Sequence, residues 1–238
     1  MVDSHKTQVW DHNTRVPMMI KGPMIAPGTV FSGMASMADL APTILELAAG
    51  GNDASAVPPH MDGASFAPML TNQESRPWKE AVLVEYQSIR TSVELTEEER
   101  SGEGPAAALL RSAYGFNAHA ALQAEGGGGG GGGIQAKFQN FHDGPNNTFV
   151  AIRIINTTST PPVDMLYAEF ADVNNPLAWN FAPDQLNYFE LYDVTNDYYM
   201  LENIYPTADA GLKAKLHARL QAAIKCKGTV ECSSYLYG

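Results

Sequence analysis

Cysteine is scarce: Cys226 and Cys232 are the only two in 238 residues. A lone pair is too few for a structural zinc site, and at this spacing the thiols either close a small loop, with Gly228 permitting the bend, or stay free. Positive charge is also scarce. With 15 basic against 26 acidic side chains the net charge is -11, which argues against nonspecific binding to nucleic acid or attraction to an anionic membrane. A polyanionic ligand would need local lysines and arginines working against that field, which salt screens beyond ~8 Å. No apolar run approaches the ~20 residues that a bilayer span needs. The stretch Met1 to Lys6 lacks the apolar core of a signal peptide.

What is present is globular. Hydrophobic residues make up 45% of the chain, enough for one full core or two modest ones. Val16 to Ile20 reads as a short buried strand, closed by the turn signals Lys21-Gly22-Pro23. Asp39 reads as the N-cap of a helix whose apolar stripe is Leu40, Ile44, Leu47 and Ala48, with Gly50-Gly51 as its stop. Ala81 to Tyr86, Thr148 to Ile155, Met165 to Phe170 and Tyr188 to Val194 read as strands. Their connections are too irregular for parallel crossovers, so they predict a four-stranded antiparallel meander. In the last strand Phe189 and Leu191 face one way, and Tyr188, Glu190 and Tyr192 the other. Asp193, Thr195, Asn196 and Asp197 form the turn after it, and Glu202-Asn203-Ile204 a short helical exit. A helix from about Ala208 to Lys225 presents Leu212, Leu216, Leu220 and Ile224 to one face of the sheet.

Several of these stretches carry a further pattern. Trp10-Asp11-His12-Asn13-Thr14-Arg15-Val16-Pro17, then Gly22-Pro23-Met24-Ile25, Asp39-Leu40-Ala41-Pro42-Thr43-Ile44-Leu45, Met61-Asp62-Gly63-Ala64-Ser65 and Glu190-Leu191-Tyr192-Asp193 through Glu202-Asn203-Ile204 occur in order. Together they resemble the C-terminal part of the sulfatases. Val82 to Gln87, Asn146 to Arg153 and the Cys226 to Cys232 loop resemble the N-acetylglucosamine-6-sulfatase group and its extracellular heparan endosulfatase relatives. Two departures stand out: Met24 replaces a glycine, and Tyr198 follows Asp197 where the family has proline.

The resemblance implies an α/β fold. Residues 1–76 would be the end of an alkaline-phosphatase-like (sulfatase) domain, and 77–238 the small C-terminal four-stranded antiparallel sheet packed by a helix, with a low-complexity insertion at about 92–140. It implies hydrolysis of sulfate esters, the 6-sulfate of N-acetylglucosamine in glycosaminoglycans above all, in a lysosomal or extracellular setting. The family's Cys-x-Pro-x-Arg, whose cysteine becomes formylglycine, has no counterpart here, since neither cysteine is followed by Pro and Arg. Formylglycine and calcium ligands are therefore expected from an N-terminal half, and no metal ligand from this chain. A non-catalytic binding lobe and a phosphoesterase of the same superfamily are the alternatives.

By position Lys6 matches the family lysine that contacts the sulfate; an ammonium suits the charge growing on sulfuryl oxygens. His60, Glu85 and Tyr86 are the further candidates for the sugar. His5 and His12 carry the side chain most used for general acid catalysis but read as surface residues, and Asp62 as the cap of the turn at Gly63. The aromatic group Tyr188, Phe189, Tyr192, Tyr198 and Tyr199 could stack on sugar rings, yet reads mainly as sheet packing. Asn146-Asn147-Thr148 and Asn156-Thr157-Thr158 are N-glycosylation acceptors in a secreted protein.

The segment from about Ser92 to Asn140 contains the polyglycine run Gly126 to Gly133, which buries no side chains and reads as a disordered excursion between strands. Loop closure costs only ~0.6 kcal/mol per doubling of length. Replacing the segment with a short Gly-Ser linker should therefore leave the unfolding midpoint nearly unchanged; a drop of many degrees would show that it packs on the sheet.

Overall fold

The computed structural model describes residues 8–71, 78–86, 147–171, 181 and 186–236, all within the unit formed by Met1–Gln87 and Asn146–Gly238. The excursion expected at 92–140, together with Lys6, His5 and Asn146, lies outside the described residues.

Strands β1 (Ala81–Tyr86), β2 (Thr148–Asn156), β3 (Val163–Ala171) and β4 (Leu186–Asp193) form an antiparallel meander in that order. Alternation sorts their side chains into two layers. Val150, Ile152, Ile154, Tyr167 and Leu191 face one side, while Phe149, Ala151, Leu166, Ala168, Phe170 and Tyr192 face the other. On the second face Tyr86, Phe149, Phe170 and Tyr188 stand directly opposite one another across all four strands. Their successive ring centroids are 5.5, 5.4 and 5.5 Å apart, a cross-strand aromatic row of the kind that stabilises sheets.

Helices cover the first face. Asp209 accepts hydrogen bonds from Gly211 N (2.8 Å) and Leu212 N (3.1 Å), and so caps the Ala210–Lys225 helix. Leu216, Leu220 and Ala223 are buried from it against the sheet, and Leu212 and Ile224 flank them. The Gly228–Leu236 helix follows, tied back by a Cys226–Cys232 disulfide. On the second face lie Val9, which is buried, and Trp10.

The exit from β4 differs from the expected helical turn. Residues 200–204 are irregular, and a 3-10 turn begins only at Tyr205. The reason is an edge strand that needs covering. Asn203 Oδ1 accepts from Leu191 N (3.0 Å), Asn203 Nδ2 donates to Phe189 O (3.0 Å), and Ile204 N donates to Leu191 O (2.9 Å). The turn before it forms as expected, with Asp193 accepting from Thr195 N and Asn196 Nδ2. Met200 takes a positive φ of 54° while its side chain is buried, and Tyr198, Tyr199 and Leu201 point outward.

Three expectations for the first part of the chain fail. Val16 to Ile20 forms no strand and is exposed, with Met19 at 96%; an apolar strand is buried only where a neighbouring sheet receives it. Around the Leu40–Ala48 helix the buried residues are Pro42, Thr43 and Glu46, whereas Ile44 is 63% exposed. The expected apolar stripe is thus not the buried face: Ile44 and Ala48 are exposed, and Leu40 and Leu47 are only half-buried. Asp39 does not cap this helix with its side chain. Its fully buried carboxylate instead accepts from Ser36 N (2.7 Å), Ser36 Oγ (3.1 Å) and Ala64 N (2.8 Å) and pairs with the Lys79 ammonium.

Ala64 can reach Asp39 because residue 63 is glycine: a Cβ there would run into Ala38 O. Burial pulls the Lys79 ammonium below its ordinary value, and the charge and hydrogen bond of Asp39 oppose that. Breaking a buried pair by removing one partner strands the other charge. Asp39→Ala should therefore cost about 3–5 kcal/mol in denaturant unfolding; a loss below about 1 kcal/mol would contradict this account.

Candidate functional site

Three of the expected site residues, His60, Glu85 and Tyr86, are among those described. Lys6 lies outside the described residues. His60 is exposed on the loop that follows Pro58-Pro59. Glu85 and Tyr86, expected to face one ligand together, occupy adjacent strand positions and so point to opposite faces. Tyr86 heads the aromatic row, whereas Glu85 shares the parity of Ala81 and Leu83 on the helix-covered side. The Glu85 residue is exposed at the strand end, yet local desolvation pushes its carboxyl up.

Asp62 differs from its expected role. Its Oδ1 accepts from Gly228 N at 2.6 Å, not from the turn at Gly63. The pairing brings the Gly228–Leu236 helix against the His60 loop, and the negative charges of that region converge on Tyr235. Burial, then Asp39, Asp62 and Glu85, push the Tyr235 phenol up to about 12. Tyr235 had no sequence signal of its own, because its neighbours come from three distant segments. Arg219 Nε holds the Tyr235 carbonyl at 2.9 Å.

A second polar cluster lies under the long helix. Tyr167 OH donates to Glu169 Oε1 (2.7 Å), His217 Nδ1 stands 2.5 Å from the same oxygen, and Gln221 Nε2 is 3.4 Å from Oε2. Glu169 is fully buried, and burial together with the hydrogen bond to this carboxylate pushes the Tyr167 phenol far up. A glutamate inside an apolar strand and a His217/Gln221 pair at i, i+4 were its only visible signs. Its chemistry is that of a buried carboxylate satisfied by three donors or acid–base partners, which holds the helix on the sheet.

On the opposite face Arg153 Nε (2.9 Å) and Arg153 Nη2 (3.2 Å) fork onto Asp11, and Asp164 pairs with the same guanidinium. Burial lowers the Arg153 value, but hydrogen bonds and charge from Asp11 and Asp164 outweigh it and leave it raised. The aspartate of the Trp-Asp pattern is thus a scaffold residue. His12 stacks on Trp10, with centroids 5.5 Å apart. Nearby Glu190 is buried, and its Oε2 has no hydrogen-bond partner among the described residues.

Asn156 occupies the β2–β3 turn, where its Oδ1 accepts from Thr158 N, Thr158 Oγ1 and Ser159 N at 2.8–2.9 Å. No group of three or more His, Cys, Asp or Glu among the described residues is arranged to hold a metal ion.

A family model described as N-sulphoglucosamine sulphohydrolase, C-terminal, matches residues 4–97. Over 225 residues, 94% of this chain, it is 27% identical to the N-acetylglucosamine-6-sulfatases of Capra hircus and Homo sapiens, covering 32% of each. Over 81 residues, 34% of this chain and 15% of the relative, it is 38% identical to a choline-sulfatase of Rhizobium meliloti. The chain spans about a third of the length of the curated N-acetylglucosamine-6-sulfatases it matches.

Burial pushes the Glu190 carboxyl up against the opposing hydrogen bond of Tyr192. A raised folded-state value means stability that is present below the ordinary carboxylate range and lost as pH rises through the raised value. Glu190→Gln should consequently raise the unfolding midpoint at pH ~7 and leave it unchanged near pH ~4. A variant less stable than wild type at neutral pH would show that the charged form is satisfied.

Proposed function

The chain is related to the sulfatases along nearly its whole length, and from that premise we propose that it is the C-terminal part of an enzyme that hydrolyses sulfate esters. The ester is the 6-sulfate of N-acetylglucosamine in glycosaminoglycans. The similarity over 94% of the chain to N-acetylglucosamine-6-sulfatases carries this reading. The exposure of the apolar side chains Val16, Met18, Met19, Met24, Val30 and Ile44 supports it, because side chains of this kind gain from burial against more protein.

In this reading residues 1–76 complete the sulfatase domain, and a preceding N-terminal half covers that surface and supplies the formylglycine nucleophile and the calcium ligands. Lys6 binds the sulfate and stabilises charge on its oxygens in the transition state. His60, Glu85 and Tyr86 contribute to the sugar-binding rim. The protein works in the secretory pathway, lysosomal or extracellular, where Asn146 and Asn156 accept glycans. No described helix is long and apolar enough to cross a membrane.

The isolated chain should not turn over a chromogenic aryl sulfate with calcium above a Lys6→Ala control. Joined to an N-terminal half bearing Cys-x-Pro-x-Arg, it should release sulfate from N-acetylglucosamine 6-sulfate, and Lys6→Ala should lower kcat/KM by about 100-fold. Release of phosphate from a phosphate ester in place of sulfate would move the protein to the phosphoesterases.

A further inference from the structure

The Cys226–Cys232 loop does more than finish a helix. Gly228 N donates to Asp62 Oδ1 (2.6 Å), Thr229 N to Pro59 O (3.2 Å) and Thr229 Oγ1 to Met61 O (2.9 Å). All three bonds leave a stretch bounded by the two cysteines and land on the loop that carries His60. Gly228 is suited to this position twice over. Its φ is +74°, and a Cβ would run into Pro59 O. From Asp62 the connection continues inward, because Ala64 N is bonded to Asp39 and Phe66 N to Thr43.

We infer that the disulfide-closed loop is a redox-sensitive clasp: while bridged, it presents Gly228 and Thr229 as a preformed set of partners that holds the loop Pro59–Asp62 in place. Each of these bonds has a small net worth near solvent. They hold together because the covalent ring ties the first turn of the Gly228–Leu236 helix to Cys226 and so removes freedom that residues 226–232 would otherwise lose on docking. Reduction by a dithiol breaks the S–S bond, gives two thiols and oxidises the dithiol to its cyclic disulfide. The ring then opens, and Pro59–Asp62 loses its hold. This inference does not depend on which ester the enzyme cleaves.

Amide exchange read by mass spectrometry on the full chain tests it, with and without dithiothreitol. Peptides covering 58–66 and 225–232 should exchange about tenfold faster after reduction, while strands β2 and β3 keep their protection. Two variants that retain the disulfide, Gly228→Ala and Asp62→Ala, should loosen 58–66 in the oxidised chain as well. Unchanged exchange at 58–66 after reduction, or in both variants, would overturn the clasp. Equal loss of protection in β2 and β3 on reduction would overturn it too, since the bond would then hold the whole sheet and not one loop.

Discussion

The first part of the described chain depends on one buried carboxylate. Asp39 gathers the Ser36 amide and hydroxyl, the Ala64 amide and the Lys79 ammonium at a site without solvent. A charge there is tolerable only because every bond is present at once. The arrangement joins the start of one helix, the loop that follows it and the segment leading into β1. Those three pieces are up to 43 residues apart. The aromatic cluster of Phe31, Phe66 and Trp78 packs beside them, with Trp78 Nε1 bonded to Met34 O at 2.6 Å.

Four polar residues of the sulfatase-like patterns hold the fold together. Asp11 anchors Arg153, Asp39 anchors Lys79, Asp62 receives Gly228, and Asn203 seals the free edge of β4. In each case a short polar side chain satisfies backbone or charge that would otherwise be buried without a partner. Recurrence of such residues in a family pattern follows from folding requirements as readily as from chemistry.

The described surface is asymmetric in a way that bears on function. The sheet is covered on one face by two helices and on the other by Val9 and Trp10, whereas Val16, Met18, Met19, Val30, Met37 and Ile44 stand exposed. That contrast is the physical ground for reading the first part of the chain as one side of a larger contact, and the sheet as a finished module.

Local patterns sufficed where one rule acted alone. Alternation of apolar residues placed all four strands and sorted Tyr188, Glu190 and Tyr192 from Phe189 and Leu191. The Leu216 and Leu220 stripe placed the long helix, and the spacing of the two cysteines allowed a disulfide that is present. Tertiary structure decided whatever depended on the partner presented by distant chain. The run Val16 to Ile20 has the composition of a buried strand but no neighbouring sheet among the described residues, and it lies open. Asp39 and Asp62 have the signature of local caps, yet each found a stronger partner far along the sequence, in Lys79 and in Gly228. Tyr235 acquired its perturbed phenol only when Asp39, Asp62 and Glu85 converged on it. Periodicity is a property of neighbours in sequence and can be read there; electrostatic pairing falls off with distance in space, which the fold alone sets.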